Sequence, residues 1–366
     1  MTPCRSCAHT EVDVVLDLGV QPSADRYPLP GEPVTVSPLR LGCCRSCGLA
    51  QLLEDPGHRE EPLGVEPAAL REQAADAVSR LVADGVVAPG TTFVEYDSPH
   101  GGGWRELLTA AGALDRTDDP PAGGVDLVVD VFGVMHEPDQ AAAFAERRQR
   151  LHPGGTLALQ YQPLERIVEL GQWNAVRHAH FAYFATGPLR TLLTRVGLRP
   201  GREHHFELYG GTTLLTATIG PADDLARPAG VDLTPLVRAA THSTRDLRDW
   251  LTAQRSAGQR VVGYGAASRT TPLLNAAGIG PDLLPLVVDA APGKHGRVIP
   301  GVGVPIGDPA GLRTDPPDVV LLFLADLLTE VRRGFPEVEA SGARWAVADP
   351  AVRLVPRVGE TTELAT

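Results

Sequence analysis

All five cysteines of the 366-residue chain lie within its first 47 residues, four of them as two CxxC pairs, Cys4–Cys7 and Cys44–Cys47. The stretch between the pairs is rich in proline and glycine (VQPSADRYPLPGEPV) and offers only short strand-like runs, VDVVLDL and SPLRLGC. A piece of this size buries too little apolar surface to fold unaided and needs a staple. In a cytosolic chain, paired CxxC units read as metal ligands before disulfides. Four thiolates complete a tetrahedral shell with no open position, the signature of structural zinc. The 36 residues between Cys7 and Cys44 exceed the spacing of common zinc ribbons, so four buried free thiols remain the alternative. Cys43 reads as a packed thiol. Residues 1–58 are therefore expected to form a zinc-binding module.

Beyond it the apolar pattern alternates. AALREQAADAVSRLVADGVV has helical spacing, TTFVEY reads as a buried strand, and WRELLTAAGAL as a helix. VDLVVDVF, QAAAFAERRQRL and TLALQY continue as strand, helix and strand, and GPLRTLLTRVG is a further helix before strands around HFELYGG and TTLLTATI. Residues 221–235 (PADDLARPAGVDLTP) read as a linker. After it come a long amphipathic helix (PLVRAATHSTRDLRDWLTAQRSAG) and the runs RVV, LLPLVVDA, VVLLFLA and RWAVADP. Strands alternating with helices imply parallel sheets. The expected organisation is α/β: a zinc module (1–58), an α/β domain (59–225) and a second Rossmann-like α/β domain (226–366).

The formal net charge of −12 argues against nucleic acid and anionic membrane surfaces as partners. No run approaches the roughly 18 apolar residues of a membrane span, and the first residues lack an apolar signal core, so the expected address is the cytoplasm. The partner left is a small molecule.

Four constellations carry candidate chemistry. Val94–Gly103, VEYDSPHGGG, follows a strand; it is a flexible loop or a ligand cradle, with Asp97 and His100 in its tight part and its glycines late. Gly263-Tyr264-Gly265 opens a helix after RVV, with Ser268, Arg269 and Thr270 at the helix start and Asp289 ending the next strand. This reads either as a packing turn or as a phosphate site. Arg177-His178-Ala179-His180 sits among aromatics as a metal site, a general base or two core histidines. Asp289 to Arg297, which contains Lys294, the only lysine of the chain, reads as a binding loop or a structural crossing.

Together these pieces resemble the C-methyltransferases that add a branch methyl to TDP-linked keto-deoxysugars in antibiotic pathways. The resemblance runs nearly end to end, through LDLGVQPSA, CRSCGLAQL, VFGVMHEPD, QWNAVRHAHFAYF, GYGAASRTTPLLN and VVDAAPGKHGRVIPGVGVPI. It implies a class I methyltransferase-like Rossmann domain in the middle. It also implies a base at His180, which in the family's Tyr-His-Glu-His-Phe pattern removes a proton beside a ketone. His178 matches the other histidine, while Arg177 and Ala179 replace the tyrosine and the glutamate. Tyr209, Gly210, Gly265, Ser268, Arg269, Asp289, Lys294 and Arg297 are the substrate-binding candidates, and Glu95 and Gly101 fall on the S-adenosylmethionine motif.

That motif, close to Glu-Ile-Gly-Ser-Asn-Asp-Gly in the family, reads EYDSPHG here, with Asp97 in place of the first glycine. The interval ALDRTDDPPAGG stands where the family has a strand with an acidic ribose ligand, a helix and a third strand. The tyrosine-rich segment after the zinc module is shortened to LLEDPGHREEPLGVEPAAL. The reading is a truncated, degraded donor site beside a retained base. Three functions follow: an enzyme of enolate chemistry (epimerisation, isomerisation) on a TDP-linked sugar without a methyl donor, an active C-methyltransferase with an altered pocket, or a non-catalytic binding protein. The cleft is expected between the middle and C-terminal domains, with zinc removal unfolding the first module without directly touching the chemistry.

Overall fold

The computed structural model describes residues 2–57, 64–98, 101–221, 230–349 and 351–357, and the observations below concern these. The expected domain boundaries at 58/59 and 225/226, most of the linker, and His100 lie outside them.

The chain opens with β1 (Val12–Pro22), β2 (Val36–Cys44) and β3 (Ala50–Leu52), an antiparallel set. Helix α1 (Ala68–Ala83) follows, burying Leu70, Ala74, Ala77, Val78 and Leu81 on one face. Then come β4 (Thr92–Tyr96), α2 (Arg105–Ala110), β5 (Leu114–Asp115) and β6 (Val125–Val131). Helix α3 (Gln140–Gln149) starts at Asp139, whose carboxylate accepts the Ala142 N–H at 2.9 Å, a strong N-cap. The middle of the chain continues through β7 (Leu151–Tyr161), α4 (Leu164–Glu169), β8 (Ala182–Tyr183), α5 (Thr186–Arg195), β9 (Leu198–Phe206) and β10 (Thr212–Ile219).

The sheet of this part is ordered β5-β4-β6-β7-β10-β9, with β10 antiparallel to both neighbours. Counted from its own first strand, the parallel part runs 2-1-3-4. Set against the doubly wound 3-2-1-4-5 order, β6 and β7 take the places of strands 4 and 5, and the edge place of strand 3 is vacant. The truncation expected from the sequence is present, with one difference. The interval read as supplying no strand still forms the two-residue β5, pairing Leu114 with Thr92 and Asp115 with Phe93. Residues 116–124 then form neither helix nor strand before β6.

In the last third, α6 (Thr234–Ser256) buries Leu236, Ser243, Leu247 and Leu251, a narrow stripe at helical spacing. It leads into β11 (Val261–Tyr264), α7 (Thr270–Ala277), β12 (Val287–Val288), β13 (Ile306–Gly307), α8 (Gly311–Thr314), β14 (Val319–Leu322), α9 (Leu328–Gly334), α10 (Pro336–Ala340), β15 (Arg344–Val347) and β16 (Arg353–Leu354). The sheet order β13-β12-β11-β14-β15-β16 is the doubly wound 3-2-1-4-5 arrangement with an antiparallel edge. The fold is the expected α/β one.

The N-terminal module is less separate than its sequence suggests. Its sheet takes β8 as a fourth strand, pairing Ala50 with Tyr183 and Gln51 with Ala182. One core cluster runs from Leu16, Tyr27, Leu39 and Leu41 through Leu164 and Trp173 to Leu247, Leu273 and Val287. The Trp173 indole N–H donates to Ser243 Oγ at 2.7 Å, tying the middle of the chain to α6.

Candidate functional site

Ligands of doubly wound sheets bind beyond the carboxyl ends of the strands, where the strand order reverses. In this molecule both such points face one cavity of about 430 Å³. The middle sheet contributes Ser98 and Gly101 after β4, Phe132 after β6 and Gln162 after β7. The C-terminal sheet contributes Tyr264 and Gly265 at β11, Asp289 after β12, and Leu324 after β14. A third wall comes from the N-terminal module, through Asp25 and Tyr27. This corrects the expectation of a cleft between two domains, because all three parts line it.

His180 lines the cavity and is 5 % exposed. Its ring meets that of His136 edge-on, centroids 4.4 Å apart, and Tyr183 stands at 6.4 Å. Arg177 also lines the cavity, with its Nε 3.9 Å from the Asp25 carboxylate and its backbone N–H donating to the Tyr183 hydroxyl at 3.1 Å. Ala179, between the two histidines, has φ +66°, a left-handed conformation that costs a non-glycine residue about 1 kcal/mol. His178 does not line the cavity. Its Nε2 lies 3.1 Å from both Ser37 Oγ and the Pro38 carbonyl of β2, inside the N-terminal module.

Of the C-terminal candidates, Gly265, Ser268, Arg269, Asp289 and Lys294 all line the cavity. Lys294 is buried, its Nζ donating to the Ala266 carbonyl at 2.9 Å and lying 3.4 Å from Asp289 and 5.0 Å from the centre of the Tyr27 ring. The Tyr27 hydroxyl donates to the same carbonyl at 2.5 Å, and burial, with Asp25 and Asp289 nearby, pushes its pKa well up. Arg297 lies away from the cavity and donates to the Tyr27 and Gly293 carbonyls, so it fixes the wall.

Arg269 donates to Gln162 at 2.8 Å; burial pulls its pKa down, against the attraction of Asp349. Asp349 is itself pushed up to about 6 by burial, and Asp326 is raised for the same reason. Tyr209 lines the cavity at φ +60°, its carbonyl accepting from Gln162 at 2.7 Å and burial raising its phenol. Gly210 stands behind it, outside the lining, where an added Cβ would come within 2.5 Å of Leu170.

Of the two residues that fall on the S-adenosylmethionine motif of the resemblance, Gly101 lines the cavity and Glu95 does not. Glu95 is buried, accepts the Trp104 N–H, and is pushed up to about 7 by that burial. Asp97 presents its carboxylate towards Gly103, 3.1 Å from where a Cβ there would sit.

His136 and Phe132 escaped the sequence reading as site residues. His136 belongs to VFGVMHEPD, a segment identified as a motif, but its partner His180 is 44 positions away and only the fold joins them. Phe132, at φ +56° on the cavity wall, has no mark in the sequence.

The four cysteines converge as expected. The Sγ atoms of Cys4, Cys7, Cys44 and Cys47 lie within 4.8 Å of one another, with Cys4–Cys47 at 3.5 Å and Cys7–Cys44 at 3.6 Å. Thiolates about 2.3 Å from a tetrahedral zinc stand roughly 3.8 Å apart, so the donor set fits zinc. Backbone N–H groups of Ser6 and Cys47 point at the sulfurs of Cys4 and Cys44, supporting the ligands. Cys43 stays outside the cluster, against the Gly48 carbonyl.

A four-cysteine cluster joined to two doubly wound sheets, with a histidine pair in the shared cleft, defines an α/β protein with a zinc-binding module. Comparison with known proteins shows what it is similar to. Residues 4–59 match a family model described as "Putative zinc binding domain", and residues 233–350 one described as "C-methyltransferase C-terminal domain". The C-methyltransferase NovU of Streptomyces niveus is 27 % identical, with 96 % of each chain covered. The chain is thus similar to C-methyltransferases in its N-terminal and C-terminal parts and, at 27 % identity, along nearly its whole length.

Among solved structures, the magnesium protoporphyrin IX methyltransferase of Synechocystis PCC 6803 overlaps 41 % of this chain and 80 % of its own, at 16 % identity and a TM-score of 0.30. The 1,6-didemethyltoxoflavin-N1-methyltransferase of Burkholderia thailandensis overlaps 42 % and 79 %, at 15 % identity and a TM-score of 0.28. No helix among the described residues is long and apolar enough to cross a membrane.

Proposed function

We propose that the chain is an enzyme of enolate chemistry acting on a TDP-linked keto-deoxysugar, and that it works without a methyl donor. The observation that carries this is His180 on the wall of a cavity that also holds a fixed cation, Arg177. His180 takes the proton from the carbon beside the ketone. The C–H electron pair becomes the carbon–carbon double bond of the enolate, and the ketone oxygen takes the negative charge. Arg177, held near Asp25, stabilises that oxygen. Returning the proton to the opposite face gives an epimer. Where the deprotonated carbon bears a hydroxyl, that hydroxyl's proton moves to the first ketone oxygen. Returning the carbon-bound proton to the former carbonyl carbon then leaves the isomeric ketone.

Lys294, Arg269, Ser268 and the Gly265 turn hold the nucleotide diphosphate, with Asp289 orienting Lys294. Zinc has a structural role, closing the N-terminal module. The three-part division of the chain at 58 and 225, its cytoplasmic address, and the absence of nucleic-acid and membrane partners belong to the same reading.

Independence from S-adenosylmethionine is supported by the vacant third strand, the two-residue β5 and the carboxylate of Asp97 in the loop after β4. Bound S-adenosylmethionine would supply an electrophilic methyl group. Gly101 on the cavity wall favours the second reading, methyl transfer in an altered pocket.

The test is deuterium exchange at the carbons flanking the ketone of TDP-4-keto-6-deoxyglucose in D2O, followed by NMR. Wild type should exchange, and His180→Asn should lose about 10²- to 10⁴-fold of that rate while keeping its melting temperature. A product heavier by one methylene with S-adenosylmethionine would establish the second reading, and a folded wild type without exchange would leave a binding protein.

A further inference from the structure

The loop after β4 is met by a carboxylate of the chain's own. Glu66, two residues before α1, accepts the backbone N–H of Gly102 on Oε2 at 3.2 Å, and that oxygen lies 3.4 Å from where a Cβ on Gly101 would sit. Gly101 and Gly102 both have positive φ, +83° and +88°, so this backbone is open to close approach on the side that Glu66 takes. Leu70, one turn into α1, covers the same glycine, 3.1 Å from a Cβ on Gly102.

The segment is held in place from the other side of the cleft. Glu330 of α9 accepts the N–H groups of Ala68 and Ala69 at 3.2 and 3.3 Å, satisfying the start of α1 from the C-terminal domain. Residues 64–67, Leu70, Gly101 and Leu327 all border the cavity, so this strap crosses its mouth.

We infer that Glu66 is an internal occupant of the donor loop: its carboxylate takes the N–H that an amino-acid-type ligand would use for its own carboxylate, and so excludes such ligands. This deepens the reading of the donor side proposed above and rests on it. A second carboxylate cannot share one N–H, and it would lie against the charge of Glu66 with Asp97 close by. A ligand without a carboxylate, such as a nucleotide-linked sugar, meets no such conflict. Glu330 holds the strap in the position from which Glu66 reaches the loop.

The experiment is calorimetric titration of zinc-replete wild type, Glu66→Ala, Glu66→Gln and Glu330→Ala with S-adenosylhomocysteine, with melting temperatures as the check on folding. Hydrogen bonds to charged groups are worth enough that removing the occupant should improve affinity about tenfold or more. Glu66→Ala should gain most. Glu66→Gln should gain less, because its amide oxygen still accepts the N–H, and Glu330→Ala should gain by loosening the strap. If wild type and all variants stay silent, Glu66 is not the obstacle; the inference fails and the donor-independent reading stands. If wild type binds as tightly as Glu66→Ala, the inference and that reading fall together.

Discussion

At the scale of single residues, the donor loop shows how environment rewrites a side chain. Glu95 falls on the stretch that resembles the family's S-adenosylmethionine motif, yet its carboxyl is buried, and that burial pushes its pKa up from the ordinary 4.5 to about 7. The folded chain therefore binds the proton more tightly than the unfolded chain does. The associated stability is fully present below pH 4.5 and is lost as the pH rises through 7. Glu95→Gln keeps an acceptor for the Trp104 N–H and cannot ionise. Its stability relative to wild type should increase between pH 5 and 8 by on the order of 2 kcal/mol, read from urea unfolding at a series of pH values. A difference that does not change with pH would mean that Glu95 ionises freely in the fold. His178 and His180 make the same point through geometry. The sequence sets them two apart, and the left-handed turn at Ala179 sends one to the N-terminal module and the other to the cavity.

At the scale of elements, the segment from Tyr209 to Gly211 joins β9 to β10 through three consecutive residues of positive φ, +60°, +81° and +122°. It is pinned by Gln162 on the Tyr209 carbonyl and by Arg166 on the Gly210 carbonyl. Gly210→Ala would bring a Cβ within 2.5 Å of Leu170 and 2.7 Å of Gln172 in a conformation that disfavours side chains. The expected cost is about 1–3 kcal/mol in chemical unfolding, with an accompanying rise in KM, because Tyr209 moves with the turn. Unchanged unfolding and kinetics would show that the turn relaxes freely. The helices and longer strands here were legible because each buries one stripe or one run of apolar residues. The short ones were not: β5 and β8 are two residues each, paired by neighbours remote in sequence, and no periodicity can be read from two residues.

At the scale of the whole molecule, zinc is tied to the cleft. Asp25 and Tyr27 belong to the cysteine-bearing module, line the cavity, and reach the C-terminal sheet through the Tyr27 hydroxyl and the shared core. The sequence suggested that chelation would unfold the module without directly touching the chemistry. The packing adds an indirect route, because the unfolding module carries Asp25 and Tyr27 out of the cavity wall. Stripping zinc with a strong chelator should abolish ligand binding in the cleft in step with the near-ultraviolet circular dichroism signal, and re-addition should restore both. Binding that survives zinc loss would make the module dispensable to the site. The sequence alone determined the four cysteines of the metal-binding cluster, the order of the longer strands and helices, and the two glycine turns. These are written in local spacing and apolar period, which a linear chain displays directly. The missing piece of the middle sheet followed from the resemblance to the C-methyltransferases. Tertiary structure alone decided that three parts share one cavity, that His136 meets His180, that His178 and Arg297 support the walls from outside it, and that Glu66 lies on the donor loop. Each of these joins residues far apart in the chain, and such contacts are fixed by how the sheets and helices pack together and have no counterpart in local pattern.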